Sequence, residues 1–127
     1  MRKAISKLGA LTLAGLVAAA GAANAGPTVD AIKKRGTMVC GTNTGLGGFA
    51  IADSTGRWAG LDVDVCKAVA AALLGDADKV KYVPLNTQQR FTALLSGEVD
   101  ILSRNTTWTL SRDTDNGFNF TGVTYYD

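Results

Sequence analysis

The sequence has no histidine, only two cysteines and only two prolines among its 127 residues. Without histidine, the Ser-His and Cys-His pairs that activate many nucleophiles are excluded. A zinc site of the usual Cys/His type is excluded as well, because carboxylates would have to complete the ligand set. We therefore predict neither a metal nor a cofactor.

The N-terminus has the pattern of an export signal. Three basic residues lie within residues 1–7, and an uncharged apolar run extends from Leu8 to Ala20. Ala23–Ala25 then has the small-x-small pattern that precedes cleavage. A membrane anchor is the alternative, but an apolar run of about 13–16 residues is short of the roughly 20 that span a bilayer. We predict a secretory signal peptide over residues 1–25 and a soluble, exported protein.

The charge balance changes once the signal is set aside. The 13 basic residues of the whole chain include three in the signal, so residues 26–127 carry ten basic and 11 acidic side chains. The remaining chain is close to neutral and has no basic cluster on the scale of a binding arm. This composition argues against a nucleic-acid partner.

Cys40 and Cys66 both lie in the exported part of the chain. An intramolecular disulfide is the first interpretation, since an oxidising compartment is implied. A buried pair of free thiols is the alternative, because cysteine is often a small core residue.

Helix and strand signals alternate along the chain. Thr28 is predicted to cap the first helix, Asp62 opens the second, and Asn86 with Gln89 has the capping-box spacing of a third whose buried stripe is Phe91, Leu94 and Leu95. A small hairpin is predicted around Ser54–Gly56. In chain order, the predicted elements are helix Val29–Arg35, strand Thr37–Gly41, helix Val63–Leu74, strand Lys79–Leu85, a helix after Asn86, and strand Val99–Leu102. This order predicts a mostly parallel α/β sheet flanked by helices.

Two polar loops follow strands. In parallel sheets ligands bind beyond the carboxyl ends of the strands, so Asn43–Phe49 and Ser103–Arg112 are expected to open on the same rim. The segment Ser103–Arg112 leads into a helix, and Arg112 lies near the positively polarised start of that helix. A bound carboxylate, held between the Arg112 guanidinium and the backbone amides, would offset these two like charges. Asp62 and Asp64 could form an acid/base pair, but helix capping plus surface charge is the interpretation we favour.

Four segments carry a family resemblance: GLDVDVCKAVAAALLG at 60–75, RFTALLSGEVDILS at 90–103, TWTLSR at 107–112 and FNFTGVTYYD at 118–127. The chain resembles the solute-binding proteins of polar amino-acid ABC transporters, bacterial solute-binding family 3. Within this family, the segment SRNTTWTLSRD at 103–113 resembles in particular the general L-amino-acid-binding proteins. The resemblance implies lobe one of a type II periplasmic-binding fold, over residues 26–127, with the hinge and second lobe absent.

The resemblance also implies site residues. Arg112 falls where the family binds the ligand α-carboxylate, and Thr107 where a hydroxyl residue adds its N–H and side chain. Asn105 falls where a backbone carbonyl often takes the α-ammonium, and Asn43 at a polar pocket position. Arg104 could reach an acidic ligand side chain or pair with a surface carboxylate, and we favour the surface pair. Trp108 is expected in the core.

The implied function is the periplasmic substrate-binding component of an ABC transporter for L-amino acids, a monomer that delivers its ligand to an inner-membrane permease. The protein is then not an enzyme. Two alternatives remain: an exported enzyme of the same fold, of the cyclohexadienyl dehydratase type, or the ligand-sensing module of a larger receptor. Because the family's second lobe supplies the acid for the ligand ammonium, we expect these 127 residues alone to bind weakly or not at all.

Overall fold

A computed structural model describes residues 26–126, and the predicted signal peptide lies outside them. Within this range no helix is long and apolar enough to cross a membrane. The elements, in chain order, are α1 Pro27–Arg35, β1 Met38–Thr42, β2 Ile51–Ala52, β3 Trp58–Ala59, α2 Leu61–Leu74, β4 Val80–Pro84, α3 Arg90–Leu95, β5 Ile101–Leu102 and α4 Leu110–Thr114.

The central sheet is parallel, with strand order β4-β1-β5. Cys40 of β1 pairs with Tyr82 of β4 on one side and with Ile101 of β5 on the other. The predicted hairpin is present as the antiparallel pair β2 and β3. The predicted α/β class, a mostly parallel sheet flanked by helices, is therefore confirmed.

The core forms on both faces of β1, because successive side chains of a strand point to opposite faces. On one face Met38 and Cys40 pack with residues of α1 and α2. On the other, Val39 packs against a cluster that includes Leu85 and Val99. Gly41 belongs to this second face, and a Cβ there would lie 2.9 Å from side-chain atoms of both Leu85 and Leu102. The absence of a side chain at Gly41 is what lets these two leucines meet the sheet.

The predicted disulfide joins Cys40 of β1 to Cys66 of α2. Both residues are fully buried. The bond closes a loop with a sequence separation of 26 residues. It therefore attaches the longest described helix directly to the middle strand of the sheet.

Two predicted helix starts are wrong. Helix α1 begins at Pro27 with Gly26 as its N-cap, so Thr28 lies inside the helix and does not cap it. Proline fits this first position because its missing N–H would have no partner there. Helix α2 begins at Leu61, and Asp62 is only 2% exposed. Its carboxylate is neither a cap nor a surface charge.

The glycine-rich loop closes the start of α2. The N–H groups of Leu61 and Asp62 donate to the carbonyls of Gly48 and Phe49, at 3.0 and 2.9 Å. Gly60 has φ +126°, and a Cβ there would lie 2.3 Å from the Phe49 carbonyl oxygen. Only glycine allows this contact, so backbone carbonyls satisfy the helix end that a side-chain cap would otherwise serve.

Helix α3 confirms one prediction and corrects another. Asn86 Oδ1 accepts from the N–H of Gln89 at 2.9 Å, and Gln89 Oε1 accepts from the N–H of Asn86 at 3.4 Å, as in a capping box. Leu95, predicted to be buried, is 65% exposed. The helix is only six residues long, and its buried positions are Arg90 and Ala93.

Candidate functional site

The exits of β1 and β5 meet at one edge of the sheet, because the two strands are parallel neighbours. Asn43 follows β1, and its Nδ2 donates to Oδ1 of Asn105 at 2.8 Å. This contact places the two polar loops on the same rim, as predicted. We call the surface formed by Asn43 and residues 103–112, together with the side chains that donate to them, the strand-end ledge.

Arg112 and Thr107 also lie together on the ledge. Nη1 of Arg112 donates to the Thr107 carbonyl at 2.6 Å. The guanidinium lies 5.3 Å from the centre of the Phe91 ring, a distance at which a cation is attracted to the ring face. Phe91 is itself stacked on Phe118, with ring centres 4.7 Å apart. The aromatic pair therefore orients Arg112.

The short helix α4 does not make a helix-terminus anion site on its own. It has five residues, and its N-cap Thr109 uses its hydroxyl to accept from the N–H of Arg112, at 3.4 Å. Within residues 26–126, Arg112 forms no salt bridge with Asp113 or Asp115. One of its five N–H groups has a described acceptor, so its guanidinium retains donors for a carboxylate.

Arg90 is the residue of this site that sequence reasoning missed. It is the first residue of α3 and only 5% exposed. Its Nη1 donates to the Asn105 carbonyl and to the Thr106 hydroxyl, each at 3.2 Å. Burial lowers the pKa of Arg90, and the nearby charges of Arg104 and Arg112 lower it further. A clue was available: an arginine stands at the positive end of a predicted helix, next to its capping box.

Arg104 has different partners from the surface carboxylate that we favoured. Nη1 donates to the Leu85 carbonyl at 2.6 Å, and Nη2 donates to Oδ1 of Asn105 at 3.1 Å. The carboxylate that favours the charged form of Arg104 is the buried Asp62 of α2. Burial raises the pKa of Asp62, and attraction to Arg104 opposes that rise. The surface-pair prediction is therefore wrong.

Aromatic residues lie beside the ledge. Trp108 is 46% exposed and stacks on Phe120 with ring centres 5.2 Å apart, so the prediction that it belongs to the core is wrong. Tyr125 meets Phe49 edge-on at 5.0 Å. The segment that follows α4 thus packs back on the glycine-rich loop and on the ledge through these two aromatic pairs.

A separate groove of about 740 Å³ lies between the hairpin and β4. Trp58 and Tyr82 line it, with ring centres 5.9 Å apart. None of the four predicted ligand-binding residues lines this groove. The groove and the ledge therefore consist of different residues, and the chemistry predicted from the sequence lies at the ledge.

The segments that build the sheet and the ledge match a known family. The family model of the bacterial extracellular solute-binding proteins, family 3, matches residues 38–126. The chain belongs to this family. It is 58% identical over 114 residues to the general L-amino acid-binding periplasmic protein AapJ of Rhizobium johnstonii, covering 90% of this chain and 33% of AapJ. It is also 58% identical over 119 residues to the glutamate/glutamine/aspartate/asparagine-binding protein BztA of Rhodobacter capsulatus, covering 94% of this chain and 34% of BztA.

Solved structures of solute-binding proteins share the fold. An ABC transporter periplasmic binding protein from Brucella ovis, with glutathione bound, matches with a TM-score of 0.76 and 57% identity, over 77% of this chain and 30% of that one. The arginine-bound form of domain 1 from TmArgBP matches with a TM-score of 0.58 and 30% identity, over 66% and 64% of the two chains. The chain spans about a third of the length of the curated relatives it matches.

Proposed function

We propose that the chain belongs to a periplasmic substrate-binding component of an ABC transporter, which captures L-amino acids at the strand-end ledge for an inner-membrane permease. The observation that carries the proposal is the convergence of Asn43, Asn105, Thr107 and Arg112 on one rim. They come from two different loops, and Asn43 and Asn105 are 62 residues apart in the sequence. The family to which the chain belongs is one of extracellular solute-binding proteins.

Arg112 is the proposed partner of the ligand α-carboxylate. Charge-assisted hydrogen bonds between guanidinium and carboxylate are among the strongest in proteins, and two parallel bonds fix the orientation of the carboxylate. Phe91 and the Thr107 carbonyl hold the guanidinium in place. Binding would then cost little side-chain entropy, because the donor is already oriented.

The α-ammonium is proposed to lie near Asn105. The Asn105 carbonyl already accepts from Arg90, but a carbonyl oxygen has two lone pairs and can accept a second bond. A cation so close to Arg90 needs a carboxylate in addition. In the family that acid comes from a second lobe, so we propose that such a lobe completes the site.

The ledge supports binding rather than turnover. Asp62, the carboxylate whose charge acts on Arg104, is buried in α2, and the described ledge residues include no nucleophile hydrogen-bonded to a base. We therefore infer that the protein is not an enzyme. A turnover assay with prephenate or arogenate tests the dehydratase alternative, and product formation would contradict the inference.

The decisive experiment measures L-amino-acid binding. Nuclear magnetic resonance titration of the whole chain detects affinities in the millimolar range. An exchange protein, in which residues 38–126 replace the matching segment of AapJ, allows calorimetry on a two-lobed molecule. We expect binding in the exchange protein and a loss of about 100-fold or more in Arg112→Met, because a buried carboxylate loses its charged partner. Binding that survives this substitution unchanged would refute the proposal.

A control variant comes from the hairpin. Arg57 is an exposed arginine whose ion pair with Asp53 spans 3.2 Å. Arg57→Met removes the same charge outside the ledge and should leave amino-acid affinity unchanged, since exposed pairs contribute little. The comparison of Arg112→Met with Arg57→Met separates a ligand contact from a general effect of net charge.

A further inference from the structure

Asn105 stands between two guanidinium groups. Arg90 donates to its main-chain oxygen and Arg104 to its side-chain oxygen, at 3.2 and 3.1 Å. Neither arginine takes part in a salt bridge among the described residues. Both oxygen atoms of the residue that is predicted to meet the ligand amino group therefore face cations.

The ledge as a whole carries more positive than negative charge. Arg112 adds a third guanidinium, and the three are close enough that Arg104 and Arg112 each disfavour the charged form of Arg90. The negative charge of Asp62 partly offsets the positive charge of Arg104, but burial disfavours the ionised form of Asp62. A ligand with a single carboxylate would neutralise Arg112 and leave the rest of this charge without a partner.

We propose that Arg104 determines side-chain preference, by attracting a second anionic group of the ligand. This inference rests on the proposed function, since it concerns the same ledge. Arg90 is 5% exposed and points into the loop, whereas Arg104 is only half-buried and reaches the exposed side chain of Asn105. One N–H on each terminal nitrogen of Arg104 has a described acceptor, so a second N–H on each remains for a ligand.

The expected ligand order is acidic before amide before basic. L-Glutamate and L-glutamine have nearly the same size and differ in the charge of the side chain. The ratio of the glutamine Kd to the glutamate Kd therefore isolates the effect of a second negative charge. L-Lysine, which adds a positive charge to an already positive ledge, should bind more weakly than either.

The test compares this ratio among variants of the chain and of the exchange protein. Arg104→Met should lower the ratio by about tenfold, and Arg104→Lys, which keeps the charge, should retain most of it. Asp62→Asn should raise the ratio, because it removes the negative charge that offsets Arg104. Asp62 and Arg104 thus give opposite shifts, which a general loss of structure cannot produce. Arg57→Met serves as the control and should leave the ratio unchanged.

Two results would overturn the inference. One is a wild-type ratio near or below one. The other is a ratio that Arg104→Met leaves intact, either because both affinities stay the same or because both fall equally; an equal fall would make Arg104 a support for Asn105 alone. In both cases the chain still binds amino acids, so the proposed function stands. If no amino acid binds to either protein, the proposed function and this inference fail together.

Discussion

The two ends of strand β1 are held in different ways. Over its first three residues, Met38 and Cys40 are fully buried in an apolar cluster, and a disulfide joins Cys40 to α2. At its exit, Asn43 joins a ledge in which three arginines donate to main-chain and side-chain oxygens. Five residues of one strand therefore connect a region fixed by packing to a region fixed by charged hydrogen bonds.

This difference separates stability from binding. Apolar burial and a cross-link act on the free energy of the whole fold, because they are lost only when the chain unfolds. Hydrogen bonds from cations to loop carbonyls order a local segment and leave charge available to a ligand. Damage to the first region should therefore unfold the domain, and damage to the second should loosen a loop and weaken binding.

The largest expected effect comes from breaking the disulfide. Replacing Cys40 and Cys66 together with alanine should lower the free energy of unfolding by about 3 kcal/mol, because the unfolded chain regains the freedom of a closed loop. Denaturant unfolding, with and without reductant, measures the loss. Reductant should destabilise the wild type and leave the double variant unchanged. Equal midpoints for the reduced and oxidised wild type would show that the bond does not stabilise the domain.

Arg90→Met should have an intermediate effect that is confined to the ledge. The Asn105 carbonyl and Thr106 hydroxyl would lose a charged donor, while the removal of a buried cation offsets part of that loss. We expect the free energy of local opening of this loop to fall by about 1 kcal/mol, with little change in the global free energy of unfolding. Amide hydrogen exchange should become faster in residues 104–107 but not in β1.

Arg57→Met is the matched control for this substitution, since it removes an arginine whose side chain is 83% exposed. It should alter exchange at neither place. Uniformly faster exchange throughout the sheet in Arg90→Met would mean that Arg90 stabilises the whole domain. The contrast between the two ends of β1 would then not hold.

The smallest effect concerns the pH dependence that Asp62 contributes. Burial raises its pKa in the folded state, so its contribution favours folding below the pKa of the unfolded chain and is lost as pH rises through the raised value. Asp62→Asn abolishes this dependence. The stability of the variant relative to the wild type should therefore increase as pH rises above about 4. Thermal unfolding at several pH values measures the difference in stability between the variant and the wild type. A difference that stays constant or falls as pH rises would contradict burial as the cause of the raised pKa.

The sequence predicted much of the fold because its signals are local. Alternating strands and helices, the capping box at Asn86, and turn residues near Gly56 each act over a few residues. The errors arose where a distant contact prevailed over a local preference. Asp62 resembles a helix cap, but carbonyls from the glycine-rich loop satisfy that helix end instead. Leu95 fits an apolar stripe, yet it is the last residue of α3 and is exposed, whereas Ala93 and Leu94 pack in the core.

The candidate site shows the same division. The strand exits and the resemblance to a family predicted four site residues: Arg112, Thr107, Asn105 and Asn43. Arg90 was not found, because its partners in the ledge loop lie 15 and 16 residues along the chain. Nothing in a single sequence specifies which carbonyl a buried arginine will meet.

The sequence by itself determined the order of elements and the polar residues at the strand exits, since each depends on residue type and short spacing. Only the tertiary structure decided how charge is distributed among those residues. It buried Asp62 and Arg90, joined Asn43 to Asn105, and surrounded Asn105 with two guanidinium groups. The physical reason is that a charge depends on burial and on its neighbours, and the fold sets both.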